Sequence, residues 1–411
     1  MGTEFWMITI AVCVLVSYWF SHLGHQLRFP SVVFLLATGL ALREVTDRYD
    51  ATVALPPGLL PLLGTIGLIL IVLEGGLDLD LKPGRRRFLM RTFNAATAGV
   101  LLSSAAVAAG FVYAWGLSWT TAALMAIPFG VISSAVAIPS SEVLGDEDRE
   151  FVIYESSWSD ILGVMLFNAV IVTAAGGGFT SNLLGGGAAV LLMGVLIGLG
   201  MYWLVGHLEG HVKFLPLIFA LILVYGGAKA MHLSPLLIVL ILGLMLNNPH
   251  LIRRFKFLDR LHTNHYPAEL VKLKHLTAEA TFLVRTFFFL VLGYTTPLAA
   301  FADRQTWIVA LALVAAIFLL RLPVVALLSG RQLRPLLWAA PRGLITVLLF
   351  YSLPAGTVPE VFPPGALILV VLVSCVIMAI GFQVDSGRRA EMDAGDTEIK
   401  RRLDAGAAPP Y

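Results

Sequence analysis

Apolar residues run along this chain in blocks of about 17–25, and short charged stretches separate them. A bilayer core of about 30 Å takes about 20 helical residues to cross. Lipid offers the backbone no hydrogen-bond partner, so each block must close its own bonds as a helix. Barrel strands would read as alternating segments of about 10 residues, and these blocks do not alternate. The pattern predicts an all-α polytopic membrane protein of about 13 transmembrane helices, near 6–22, 30–43, 58–77, 93–115, 119–141, 151–175, 187–206, 213–231, 233–248, 277–296, 306–328, 334–353 and 364–384.

Composition agrees: 58% of residues are hydrophobic and 13% charged, too few charges to cover a soluble chain of 411 residues. Charge then sets the orientation. With the N-terminus outside and the C-terminus in the cytoplasm, 21 of the 28 Lys and Arg lie on the cytoplasmic side, four outside and three within spans. An even span count would scramble this asymmetry. The densest clusters are Lys82, Arg85, Arg86, Arg87 and Arg91, and Arg253, Arg254, Lys256, Arg260, Lys272 and Lys274. The net charge of +2 reflects these loops and does not point to nucleic acid. The first block lacks the basic lead-in and small-residue cleavage site of a signal peptide. Cys13 and Cys375 fall inside the first and last spans and read as small apolar residues. Residues 385–411 are expected to form a short, disordered cytoplasmic tail.

That accounting leaves charge inside the membrane: Arg285, Arg321 and Arg342 in spans 10, 11 and 12, Glu74 in span 3, and Glu155 and Asp160 in span 6. Each costs about 2.5–3.5 kcal/mol at the bilayer centre on the gentlest scale, so the groups either pair structurally or face a hydrated cavity. In span 6, Ser156 and Asp160 are four apart and share a helix face, whereas Glu155 lies about 140° around from Asp160. One carboxylate can therefore be locked in an ion pair while the other faces a cavity. Burial penalises a bare carboxylate, so a proton and a small hard cation such as Na+ or K+ compete to neutralise it.

Span 5 is interrupted by Pro128, Gly130, Ser133, Ser134 and Pro139, and span 12 by Pro341, Arg342 and Gly343. Such breaks expose backbone carbonyls and amides at membrane depth; packed proline kinks are the plainer alternative. The breaks lie seven spans apart. An odd offset makes two six-span repeats, 1–6 and 8–13, inverted relative to each other, with span 7 as the joint. Paired broken helices at corresponding positions point to a transporter site.

From span 2 to span 13 the chain resembles the monovalent cation/proton antiporter superfamily, and more closely its electroneutral branch. The apolar run Leu68–Leu73 ending in Glu74-Gly75-Gly76-Leu77-Asp78 is similar to the family's third-span motif. Ser133-Ser134-Ala135 stands where the family has Thr-Asp-Pro, and Ser159-Asp160 where it has Asn-Asp or Asp-Asp. Arg321-Leu-Pro and Arg342-Gly343 resemble its arginine segments in spans 11 and 12. The resemblance implies crossed broken helices, a homodimer and an elevator mechanism. A core of spans 3–6 and 10–13 would slide on a scaffold of spans 1–2 and 7–9. It implies Asp160 as shared carrier of cation and proton, with Ser159, Ser156, Ser133 and Ser134 around it. Glu155 would be held by Arg321, Arg285 would reach Asp160, and Glu74 and Arg342 would pair structurally or modulate. Ser134 and Ser159 keep an oxygen but lose a charge and an amide relative to the family pattern. One unpaired acid implies electrically silent 1:1 exchange.

No enzyme is expected, since no nucleophile–base pair occurs within the spans. No metal or cofactor is expected either. His207 and His211 lie in a loop weakened by Gly210, and His262, His265 and His275 read as parts of an interfacial segment. Two other functions stay open: an organic-anion carrier of related repeat plan, suited by three membrane arginines, and a transport-inactive sensor. The expected home is the bacterial inner membrane.

Overall fold

The computed structural model describes residues 3–27, 29–49, 56, 58–81, 84–174, 187–207, 214–230, 235–250, 266–330 and 333–404. Among them every regular element is a helix. In chain order these are α1 (Thr3–Leu27), α2 (Ser31–Arg48), α3 (Leu59–Asp78), α4 (Arg86–Trp115), α5 (Trp119–Gly130), α6 (Ser134–Ser140), α7 (Asp146–Ala174) and α8 (Gly187–His207). Then follow α9 (Phe214–Ala230), α10 (Pro235–Asn247), α11 (Tyr266–Thr295), α12 (Arg304–Leu328), α13 (Leu333–Leu336), α14 (Leu344–Tyr351) and α15 (Ala366–Asp404). Seven are long and apolar enough to cross a membrane: α3, α4, the α5–α6 pair, α7, α11, α12 and the first part of α15. Shorter apolar helices lie within α8, α9 and α10. His211, His262 and His265 lie outside the described residues.

Local chemistry sets the ends. Gly116 takes a left-handed conformation (φ 64°) to close α4. Ser118 accepts the Thr121 amide at 3.2 Å to start α5, and Asp303 accepts the Gln305 amide at 3.1 Å to start α12. Asp146, Glu147 and Asp148 load the first turn of α7 with negative charge, where the helix dipole favours it. α15 runs on to Asp404, past the point where disorder is expected. Its distal sequence holds four Arg, two Ala and two Glu, which are strong helix formers.

Two pairs of glycines reveal an internal symmetry. α2 and α11 meet where Gly39 faces Gly293, and α3 and α10 meet where Gly76 faces Gly243. A Cβ on Gly39 would lie 2.9 Å from the Gly293 Cα, and one on Gly76 would lie 3.0 Å from the Gly243 Cα. In all four cases the nearest atom to that Cβ is the carbonyl oxygen three residues before the opposing glycine: Leu290, Leu36, Leu240 or Leu73. The seven-span offset maps α2 onto α10 and α3 onto α11, so one crossing becomes the other. This is the close, small-residue packing that membrane helices use in place of a hydrophobic driving force, made twice between the inverted halves and related by their symmetry.

These crossings also sort the helices. α3 and α11 pack on α2, α10 and each other. α4 packs on α5, α7 and α12, and α12 packs on α15. The resemblance groups spans 3 and 10 with the core; backbone contact at the glycines joins α3 to α10 and α11 to α2.

The two breaks meet at the centre. α5 ends at Gly130, the chain runs extended through Val131, and α6 resumes at Ser134. The second break lies between α13 and α14. The Ser133 amide donates to the Pro341 carbonyl at 3.0 Å, joining them. A Cβ on Gly343 would come within 2.6 Å of Ser133 Oγ, so the approach requires glycine there.

Candidate functional site

α7 carries the two carboxylates of span 6, Glu155 and Asp160, past this crossing. Glu155 is 1% exposed. Arg321 of α12 grips it with both prongs, Nη1 to Oε1 at 3.0 Å and Nη2 to Oε2 at 2.9 Å. The remaining Arg321 donor, Nε, reaches the Leu336 carbonyl at 2.9 Å, tying α13 into the same node. A buried pair is tolerated only with such complete geometry.

Asp160 is 4% exposed and has no cationic side chain bonded to it among the described residues. Its Oδ2 accepts from the Ser134 hydroxyl and from the Ser134 amide, the latter at 3.2 Å. Its Oδ1 is buried with no hydrogen-bond partner among the described residues. The neighbouring Ser159 hydroxyl accepts the Ile132 amide at 2.9 Å. Consecutive residues of α7 thus hold both sides of the first break. Ser156 turns away: its hydroxyl donates to the Val152 carbonyl at 2.7 Å, back along its own helix. Ser133 lies in the crossing against Gly343.

Arg342, 1% exposed, has no carboxylate partner among the described residues. Its Nε donates to the Phe129 carbonyl at 2.6 Å, and its Nη1 to Ala340 at 3.2 Å. Nη2 stands 3.5 Å from the Gly130 carbonyl. The guanidinium therefore caps the C-terminal end of α5, where a helix presents unpaired carbonyls and partial negative charge. Arg285 of α11 donates to the Ala135 carbonyl at 2.7 Å, and Glu74 of α3 is the carboxylate acting on its charge. No bond joins Arg285 to Asp160. Pro139 lies within α6, one of the two half-helices of span 5, and Pro128 within the other.

A second interaction between α3 and α11 was not singled out from the sequence: Asp78 and Lys274 act on each other electrostatically toward the ends of these helices. Glu74 and Asp78 are four apart, the spacing that puts two groups on one helix face, and this was the available signal.

The constellation is a lone carboxylate, with one oxygen unanswered, where two interrupted helices cross in an all-helical inverted repeat. A family model for the transmembrane part of sodium/hydrogen exchangers matches residues 10–384. The chain belongs to the sodium/hydrogen exchanger family. It is therefore an integral membrane transporter of the cation/proton exchange type. The exchanger fold is similar to that of the sodium proton antiporter MjNhaP1 from Methanocaldococcus jannaschii at pH 8, with a TM-score of 0.67 and 17% identity over 92% of this chain and 100% of that one. A second MjNhaP1 structure, from an electron-microscopy map, gives a TM-score of 0.67 and 17% identity over 95% and 97%. Comparison with curated protein sequences gives no match.

Proposed function

We propose that this exchanger moves one monovalent cation, Na+ or K+, against one proton, with Asp160 as the shared carrier. The observation that carries this reading is the unpartnered Oδ1 of Asp160 beside a broken helix. A buried polar atom without a partner is costly, and a proton or a desolvated cation would relieve the cost. The hydroxyls of Ser134 and Ser133 and the freed backbone of the break would supply further oxygen ligands. Ser159 positions the break. Glu155 with Arg321, and Arg342 on the α5 carbonyls, brace the half-helices and carry no ion.

With one unpaired acid, the carrier is neutral with either ion bound, and 1:1 exchange follows. Alternate access would come from α4–α7 and α12–α15 sliding against a scaffold of α1–α3 and α8–α11. The packing of α3 and α11 supports that boundary. The scaffold would form the homodimer, in a bacterial inner membrane with the N-terminus outside. An anion carrier fits less well: Arg321, Arg342 and Arg285 are each engaged by a carboxylate or by carbonyls.

The test is proton flux in proteoliposomes with an internal pH dye, under pulses of Na+, K+ or Li+, for wild type and Asp160→Asn. Cation-driven flux in wild type alone supports the reading. If no cation moves protons across about pH 6–9, the exchange reading fails and a sensor role takes its place.

A further inference from the structure

Away from the crossing, a cavity of about 610 Å³ opens between the start of α4, the end of α12 and the first turns of α7. Arg85, Arg86, Arg87 and Arg91 line it, with half-buried Phe88 on its apolar side and Phe151 buried behind that ring. These arginines are not equivalent. Arg85 is already answered, because it forms an ion pair with Glu150 and its guanidinium lies 4.7 Å from the centre of the Phe88 ring. Arg91 is seated against the end of α12: Gly330 is left-handed there (φ 63°), and a Cβ on it would come within 2.8 Å of the Arg91 Cζ. Arg86 and Arg87 are exposed and form no ion pair among the described residues. The cavity thus offers concentrated positive charge beside an aromatic wall. Two solvated arginines would serve orientation equally well on a flat surface, without a cavity or an apolar side.

We propose that this cavity binds the phosphate of an anionic phospholipid headgroup from the cytoplasmic leaflet. The inference rests on the cytoplasmic placement of this end of α4. Arg86 and Arg87 would meet the phosphate oxygens, and half-buried Phe88 would take the glycerol and upper acyl carbons. Basic pockets between membrane helices on the cytoplasmic side recognise such headgroups through charge and forked hydrogen bonds. The chemistry recognised is the phosphate group, and the apolar wall favours a lipid over a free phosphate. The bound headgroup would bridge α4 and α12. Phe151 lies one helical turn before Glu155, and α12 carries Arg321, so the lipid would brace the elements that hold the buried pair.

The deciding measurement is lipid retention by native mass spectrometry on the full-length purified chain, titrated with phosphatidylglycerol or phosphatidylethanolamine. Thermal unfolding runs alongside. Wild type should retain and be stabilised by phosphatidylglycerol only. Arg86→Gln/Arg87→Gln should lose affinity for it by roughly thirtyfold, and Arg86→Lys/Arg87→Lys should recover most of it. Equal retention by wild type and the glutamine variant overturns the proposal. Stabilisation by pyrophosphate but not by phosphatidylglycerol overturns the lipid assignment and leaves a soluble phosphate as ligand. Asp160→Asn should bind the lipid as wild type does, so the readout stands whether or not exchange is observed.

Discussion

Glu155 and Asp160 sit on one helix, five residues apart, and both are sealed from solvent. Their surroundings differ in one respect. Glu155 meets a fixed guanidinium that satisfies both its oxygens. Among the described residues Asp160 meets only neutral donors, and these satisfy one oxygen. A fixed positive partner turns a buried carboxylate into permanent structure. Neutral partners leave a charge that only something mobile can balance. Partner identity, rather than burial, therefore separates the brace from the proposed carrier.

The strongest way to break this comparison is at Asp160. Asp160→Asn keeps the shape and removes the charge. Exchange should fall by at least about a hundredfold, since the carboxylate would be required in every cycle, while the melting temperature stays at or above wild type. Residual exchange near the wild-type rate would sink the carrier assignment. Glu155→Gln should do the opposite. It strands Arg321 as an unpaired buried charge, a change that typically costs about 3–5 kcal/mol, so thermal unfolding in detergent should show a large drop. Glu155→Leu/Arg321→Met should recover much of that stability, and failure to do so would mean that the pair is not a self-contained brace.

A smaller effect is expected at Ser134. Ser134→Ala removes one hydrogen bond to a charged acceptor, worth about 1.5–3 kcal/mol, and should change the half-saturating cation concentration by about tenfold while exchange persists. An unchanged value would place the serine outside the site. The gentlest test is pH. If proton and cation compete for one oxygen, acidifying both sides of the vesicle should raise the half-saturating cation concentration and leave the maximal rate at saturating cation unchanged. A maximal rate that falls with no shift in half-saturation would argue for two separate sites.

Much of the site was legible before the fold. Charge in an apolar block is conspicuous because it is expensive, and prolines and glycines inside spans mark interrupted helices. What the chain could not announce was which partner each group takes. Ser156 shares a face with Asp160, yet a helical serine always has a carbonyl of its own within reach four residues back, and it uses it. Arg342 reads as a cation in search of an acid, but the end of α5 offers it carbonyls instead. The glycines that join α2 to α11 and α3 to α10 are far apart in sequence and look ordinary in isolation. Their meaning appears only when two backbones touch. The resemblance places spans 3 and 10 in the core, and it gives no sign that glycine contact joins these helices to α10 and α2.

The matched glycine crossings have a consequence for motion. Suppose each half of the molecule adopts the conformation of the other. A pathway open to one side of the membrane then becomes a pathway open to the opposite side. That exchange carries the α2–α11 crossing onto α3–α10 and back, so the pair of crossings survives the swap unaltered. In the sliding scheme proposed above they would be the fulcrum, the part that stays still so that everything else can trade places.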